Sequence, residues 1–386
     1  MEKKFDLIVV GGGILGTFHA YHALTRGLSV LLLEKDNFPV GATVRNFGQV
    51  IPSGMTGEWF TYGLKGLEVY AAIQRQFDIS VRNNGSIYIA SDSDEQLLLH
   101  ELHAHFQQVG YPSQLLSKAT VLERYPAVRP SYVREALFFP KEVSVEPHLM
   151  IHRLHQYLQQ RFDKFQLIPN APVVDCFDTS AGVKIQVSGM GSVVGDKVII
   201  CNGNEFKLLF PELLAKSGQV ISKLQMIQTQ PFPEAVLPGN ILTGLTIRRY
   251  ESFAEYCPSF STISTPSHYQ ELQEWGIHIL FKQAADGSLI IGDSHEYADA
   301  TKFDELGYTL KEHINNLMLT EAERIVNLDL RKLATVWAGY YPQHPKKHIV
   351  ELDPSPNIHI RTCIGGKGMT AGIGYAEHSM NRLFNC

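Results

Sequence analysis

The stretch Asp6-Leu7-Ile8-Val9-Val10-Gly11-Gly12-Gly13-Ile14-Leu15-Gly16 limits what this chain can fold into more than any other. An apolar run of strand length over residues 5–10 breaks at three glycines. A helical pattern then covers 14–26, Gly27 stops it, and a second apolar strand covers 29–34. That order predicts two parallel strands joined by a crossover helix, the opening of a doubly wound sheet. Within it, Gly11 permits a tight turn, Gly13 lets backbone approach a pyrophosphate, and Gly16 lets the helix settle on the sheet. The helix amino end then offers unpaired N–H groups and a positive dipole to phosphate, and Ile14 and Leu15 open that first turn. Glu34 closes the second strand, where a carboxylate holds an unphosphorylated ribose, with Lys35 next to it. Both NAD and FAD satisfy this unit.

The 386 residues predict two domains or one elaborate one. A formal charge of -5, from 34 basic against 39 acidic side chains, argues against a dedicated nucleic-acid binder. No apolar run approaches the ~18–20 residues that span a bilayer, so no membrane segment is expected. Glycines begin too early for the apolar region of an export signal. Cys176, Cys201, Cys257, Cys363 and Cys386 are scattered and form no C-x-x-C, which disfavours disulfides and zinc and fits a reducing cytoplasm.

Further along, helices are expected over 58–77, 92–109, 117–125 (with Ser117 as N-cap) and from Glu146 onward, where Pro147 suits a first turn and Met150, Leu154, Tyr157 and Leu158 mark the apolar stripe. A strand is expected over 85–90. Short strands follow over 165–201, with turns at 169–170, 180–182 and 189–195, and 219–292 reads as strand-rich. Helices return over 304–330, strands near 333–341 and 358–363, and a last helix over 368–384. With no repeat or low-complexity linker, the order predicts interleaved domains.

Three further segments resemble the D-amino-acid oxidase, glycine oxidase and sarcosine oxidase superfamily. Thr43-Val44-Arg45-Asn46-Phe47-Gly48-Gln49 is similar to its second flavin-contacting segment. Val198-Ile199-Ile200-Cys201-Asn202-Gly203-Asn204 is similar to its strand ending in a glycine turn, and Cys363-Ile364-Gly365-Gly366-Lys367-Gly368-Met369-Thr370 to its carboxy-terminal flavin motif. Gly287 to Gly292 with His295, and Trp337-Ala338-Gly339, fit the substrate-domain pattern. The resemblance implies α/β architecture: a Rossmann-like, doubly wound FAD-binding domain (1–82, 143–217 and 333–386) interleaved with an α+β substrate or cap domain (83–142 and 218–332) on an antiparallel sheet. It also implies FAD, with cofactor contacts at the fingerprint residues above and at Thr43, Arg45, Asn46, Phe47, Gly48, Val174, Asn202, Gly203, Gly339, Gly366, Gly368, Met369 and Thr370. Backbone N–H groups at 368–370, with Lys367, would stabilise charge on a reduced flavin.

Departures from the family pattern narrow the chemistry. Amino-acid oxidases of the family hold the substrate carboxylate with an Arg where this chain has Tyr341. Sarcosine-oxidase-like members attach FAD through a Cys where this chain has Gly339, which implies non-covalent FAD. Their oxygen-activating Lys falls near Ile290, so oxygen, a quinone or a carrier stay open as acceptors. Residues 44–49 and 244–250 are similar to a subgroup associated with bacterial phosphonate catabolism, whose proposed substrates are aminoethylphosphonate derivatives. A phosphonate dianion wants forked cations, and Arg45, Arg248, Arg249 and Lys367 are candidates. Arg248 and Arg249, read as neighbours on a strand, would face opposite sides, so at most one is expected in the site.

The expected reaction is oxidation of a small primary or secondary amine, with hydride passing to flavin N5 and hydrolysis of the imine. His295, Tyr341 and Lys367 are the catalytic candidates. Gln49, Arg248, Arg249, Tyr250 and Trp337 are the substrate-binding ones. No metal is expected: the groups His19/His22, His100/His103/His105 and His152/His155 read as solvated helix faces. Two other readings stay open: an FAD dehydrogenase of a hydroxy acid or polyol phosphate, and a non-catalytic FAD-binding or RNA-associated protein.

Overall fold

The structure, a computed structural model, describes residues 4–232, 234 and 237–384; Cys386 lies outside them. Strand β1 (Lys4–Val10), helix α1 (Ile14–Thr25) and strand β2 (Val30–Leu33) form the expected parallel unit, with Leu7 opposite Val30 and Val10 opposite Leu33. All four side chains of β2 are buried, as a strand covered on both faces requires. Phe165–Ile168, β2, β1, Gly191–Ile200 and Ile358–Thr362 lie side by side in parallel, and Val350–Ser355 closes one edge antiparallel. The hairpin Val173–Thr179/Gly182–Val187 completes eight strands. Helix α1 and the final helix (Gly368–Phe384) share one core with Gly57–Gln74 and Pro147–Arg161.

A second sheet of nine strands is almost wholly antiparallel. It runs from Glu296–Asp299 through Val220–Thr229 and the hairpin Leu280–Gln283/Leu289–Gly292 to Asn240–Leu242, Ser86–Ala90, Glu135–Phe139 and Gln114–Ser117. Leu333–Gln343 also belongs here, along the full length of Val220–Thr229. Residues 333–343, grouped by the sequence with the FAD-binding segments, thus pair with the second sheet, while Tyr340, Tyr341 and Pro342 reach the cleft of the first.

Three other expectations change. Residues 191–195 pair with 183–187, so the turn expected over 189–195 shrinks to 188–190. The strand-rich reading of 219–292 fails between 243 and 276. Those residues fold as the short helices Gly244–Ile247, Glu251–Tyr256 and Gln270–Glu274, each too short to show a helical period in the sequence. Nor are the histidine groups all solvated. His19, His22 and His155 are buried, and each finds a polar partner in the core: Leu15 O, Ile373 O, and Gly12 O with Thr17 Oγ1. Helices covered on both sides bury even the face that polarity marks as outer.

A small two-stranded ladder forms one junction between the two sheets. Gln49–Val50 pairs with Val143–Ser144, and Gly48 enters it with φ +73, where a Cβ would run into the carbonyl oxygen of Val145. Lys282, buried in the second sheet, donates to Val145 O at 2.6 Å and sits 3.2 Å from Glu146 Oε2. Trp337 Nε1 donates to Arg45 O at 3.0 Å. A buried cation is costly unless its donors are met, and Lys282 meets them on the opposite side of the junction.

Glu142 is buried beside this junction. Its Oε1 accepts from Ser53 N at 2.8 Å, while Oε2 has no partner among the described residues. Burial pushes its carboxyl from 4.5 up to about 7. Between those two pH values the unfolded chain ionises and the native one does not, so native stability falls as pH rises through the window. Relative to wild type, Glu142→Gln is expected to be similar near pH 4 and more stable by about 3 kcal/mol near pH 8. Denaturant unfolding of both proteins across that range checks this.

Candidate coenzyme cleft and the polar cluster beside the second sheet

The carboxyl ends of β2, β1 and Gly191–Ile200 stop side by side, leaving Glu34, Gly11 and Cys201 on one rim. An open-sheet protein binds its ligand at this place, because the crossover connections part there. Gly11 has φ +103, and a Cβ on it would run into the carbonyl oxygen of Cys201; one on Gly16 would strike the carbonyl of Gly11. The turn is therefore closed to side chains on both sides. Gly13 starts α1 without a side-chain cap, so Leu15 and Gly16 keep N–H groups with no intrahelical acceptor. Ile14 N is capped by Thr43 Oγ1 at 3.0 Å, from a segment 29 residues later.

Glu34 is fixed from below. Its Oε2 accepts from Gly12 N at 2.8 Å and its Oε1 from Asp36 N at 3.0 Å. Beneath the same turn, His155 Nε2 lies 3.0 Å from both Gly12 O and Thr17 Oγ1, and burial pushes that imidazole down to about 4. His155 supports the turn as a neutral ring, a role its helix position did not signal.

From this rim a cleft open to solvent reaches the start of the final helix. Gly11, Gly13, Ile14, Leu15, Glu34, Lys35, Thr43, Asn46, Asn202, Gly203, Tyr341, Gly366, Gly368 and Met369 all line it. Asn46 bridges its own segment, donating to Ala42 O and Thr43 O and accepting from Gly48 N. Asn202 Nδ2 donates to Glu205 O, while its buried Oδ1 has no partner among the described residues. Tyr341 is buried with its ring over Gly339, and its hydroxyl makes no hydrogen bond among the described residues. Burial raises the Tyr341 phenol far above its ordinary value.

Other expected cofactor contacts have different work. Gly16 and Gly48 allow close backbone approach, and Phe47 packs into the core of the second sheet. Thr370 Oγ1 accepts from Ile51 N at 3.1 Å. Arg45 Nε donates to Val40 O at 2.8 Å. Val174 points outward and is 41% exposed; alternation along its strand turns Val173 to the cleft instead.

The expected substrate and catalytic residues divide. Lys367 is held by Glu251 at 2.7 Å, which ties Glu251–Tyr256 to the turn before the final helix. Gln49 is buried and donates weakly to Phe281 O at 3.4 Å, and Trp337 serves the junction. Arg248 and Arg249 follow a one-turn helix rather than lying on a strand, yet they do diverge. Arg248 lies 2.7 Å from Asp92 and 2.9 Å from Glu95, with a side chain only 2% exposed. Its charge is spent on that buried pair, which removes it as a substrate ligand. Arg249 goes the other way, donating to Gly276 O at 2.8 Å and reaching within 3.3 Å of His295 Nδ1.

His295 is part of a group the sequence pattern did not disclose. The hairpin Leu280–Gln283/Leu289–Gly292 brings His278 and Asp293 together, with His278 Nε2 2.7 Å from Asp293 Oδ1. His278 Nδ1 is 3.1 Å from Thr246 Oγ1, and His295 Nδ1 is 2.9 Å from Gly276 O. Tyr250 meets His278 edge to face at 5.9 Å and lies against Gly54. Burial pushes His295 down to about 3 despite the pull of Asp293. Burial also opposes charge on Asp293, but the neighbouring imidazoles outweigh it and hold the carboxyl below 3.8. The fifteen-residue separation of His278 and Asp293 matches no helical or strand period, so no local pattern announced the pair.

The donor set of the cleft fits FAD. A turn that excludes side chains suits a pyrophosphate, a fixed carboxylate suits a ribose, and the buried, unpartnered Asn202 Oδ1 awaits a donor. Comparisons with known proteins agree. The family model described as FAD dependent oxidoreductase matches residues 6–382. A glycerol 3-phosphate dehydrogenase of Caloramator mitchellensis is 29% identical over 129 residues, 32% of this chain and 27% of that protein. An N-methyl-L-tryptophan oxidase of Yersinia pestis is 24% identical over 217 residues, 54% of this chain and 56% of that protein. The chain thus matches less than two thirds of the length of these curated relatives. Among solved structures, glycine oxidase from Geobacillus kaustophilus superposes with a TM-score of 0.78 at 16% identity, covering 100% of this chain and 95% of that one, a likeness of fold. No helix among the described residues is long and apolar enough to cross a membrane.

Two substitutions test the cleft. Gly11→Ala is expected to give protein that no longer retains FAD through gel filtration, because the new methyl group displaces Cys201 or the turn. Glu34→Ala is expected to weaken FAD binding about 10–100-fold, the worth of one or two hydrogen bonds to a charged acceptor. Fluorescence titration of deflavinated protein measures both.

Proposed function

The chain belongs to the family of FAD-dependent oxidoreductases, and from that premise we propose that it oxidises a small primary or secondary amine whose far end carries an anion. An aminoalkylphosphonate, such as an aminoethylphosphonate derivative, is the substrate class this reading favours. The observation that carries it is Tyr341. By the family resemblance, an amino-acid oxidase holds its substrate carboxylate with an arginine at that position, and here a buried tyrosine with an unbonded hydroxyl lines the cleft. A simple α-amino acid loses its partner, while Arg249 supports a more distant anion. Its side chain is exposed, and its Nε and Nη2 donors have no partner among the described residues. Forked donors of this kind suit a phosphonate.

When bound, FAD supplies the two-electron acceptor, chemistry no amino-acid side chain provides. The chain supplies position and field. Gly11, Gly13 and the start of α1 would hold the diphosphate, and Glu34 the ribose. Gly366, Gly368 and Met369 wall the other end of the cleft where the final helix begins, and the positive end of a 17-residue helix favours negative charge there. In this reading residues 1–82, 143–217 and 333–386, apart from the long strand, hold the coenzyme, and 83–142 and 218–332 shape the substrate side. Gly339 in place of a cysteine supports non-covalent attachment.

A second reading has its own support: the similarity to a glycerol 3-phosphate dehydrogenase favours an alcohol bearing a phosphate, held by the same cation. Mixing the FAD-loaded protein anaerobically with a panel of compounds, and following loss of the flavin's visible absorbance, separates the two. Aminophosphonates and N-methyl amines are expected to reduce the flavin faster than glycine or D-alanine. Arg249→Ala is expected to lower kcat/KM for the aminophosphonate about 10–100-fold while leaving an uncharged alkylamine unaffected. Equal rates with glycine would overturn the substrate class, and faster reduction by glycerol phosphate would establish the second reading.

A further inference from the structure

His278, Asp293 and His295 form, among the described residues, the one group of three side chains placed to share a metal ion. One donor atom from each lies within 4.8 Å of the other two. We propose that this group is a binding site for a first-row divalent cation, Zn²⁺ in the first instance. Two imidazole nitrogens and one carboxylate oxygen are the donor set of three-ligand zinc sites, and they leave a coordination position for water or the oxygen of an anion. His278 and Asp293 are buried and His295 is half-buried, so the group is both walled by protein and reachable from one side.

The surroundings carry the inference further than the three residues alone. Metal-binding histidines are commonly oriented through the second ring nitrogen, by a carbonyl or a hydroxyl. Here His278 Nδ1 is held by Thr246 Oγ1, itself fully buried, while Nε2 faces the carboxylate. Thr246 belongs to the helix Gly244–Ile247, and His278 leads into the strand Leu280–Gln283, so two separate elements position that ring. His278 N also donates to Asp293 O at 3.1 Å, which locks the two ligand-bearing residues backbone to backbone. His278 Nε2 faces Asp293 Oδ1 at 2.7 Å, yet that buried oxygen has no aligned hydrogen-bond donor among the described residues, and a cation between the two would satisfy it.

Arg249 is the neighbouring positive charge, 3.3 Å from His295 Nδ1. It is exposed and repels a dication, which makes the proposal electrostatically testable. This site rests on the three ligands and is independent of the substrate reading.

The test uses FAD-loaded protein, cleared of metal by a chelator and titrated with Zn²⁺ by calorimetry. One ion per chain is expected. Asp293→Asn and His278→Ala are each expected to weaken binding at least about tenfold, and Arg249→Ala to tighten it. Retained flavin absorbance and an unchanged melting temperature identify variants that fold. His295→Gln, at the half-buried position, gives a second ligand variant should either buried one fail to fold. Absence of a one-to-one binding step in wild type would overturn the site. So would unchanged affinity in folded ligand variants, which would place the zinc elsewhere, and so would Arg249→Ala failing to tighten it.

Discussion

The carbonyl oxygen of Cys201 lies against the Cα of Gly11, and the rest of the molecule is arranged around that contact. It forces the first residue after β1 to lack a side chain, and it brings the ends of neighbouring parallel strands close enough to share one rim. Gly16 repeats the constraint one turn later against the carbonyl of Gly11. Bare backbone on three sides is what lets a diphosphate approach peptide N–H groups directly. Glu34 and His155 then hold the turn from beneath, one through Gly12 N and the other beside Gly12 O.

The second sheet is joined to this bed by polar and apolar contacts together. The Gln49–Val50 pairing, the Lys282–Glu146 pair and the Trp337–Arg45 bond each cross the junction once. Such contacts add orientation to apolar packing that also crosses, through Ile221 in the first sheet's core and Phe47 and Ile51 in the second's. Arg248 illustrates the economy of the second sheet. Its guanidinium fastens the helix Gly244–Ile247 to Asp92 and Glu95, which leaves Arg249, one residue later, turned outward.

Much of the first sheet was legible because its signals are local. Residues 5–34 carry a strand, a glycine turn, a helix and a second strand in immediate succession, and the final helix begins at Gly368 as expected. Gly11, Gly13 and Glu34 were expected from that local pattern, and Thr43, Asn202, Gly203, Gly366 and Gly368 from the family resemblance; all of them line the cleft. What stayed hidden depends on distant pairing. Residues 244–276 look like interrupted strands because Pro and Gly punctuate both strands and short helices. Arg248 looked like a ligand because nothing near it in the chain shows that Asp92 and Glu95 would neutralise it. His278 and Asp293 were invisible for the same reason, since only the hairpin between them makes them neighbours.

Thr43 deserves a last consequence. Its hydroxyl closes the first turn of α1 from outside, although it belongs to the short helix Ala42–Arg45. That helix leads, through Asn46 and Gly48, straight to the junction with the second sheet. Six consecutive residues, Thr43 to Gly48, therefore link the cap on α1 to the junction with the second sheet. A substitution anywhere along them is felt at both ends, so the start of α1 and the meeting of the two sheets are not independently adjustable.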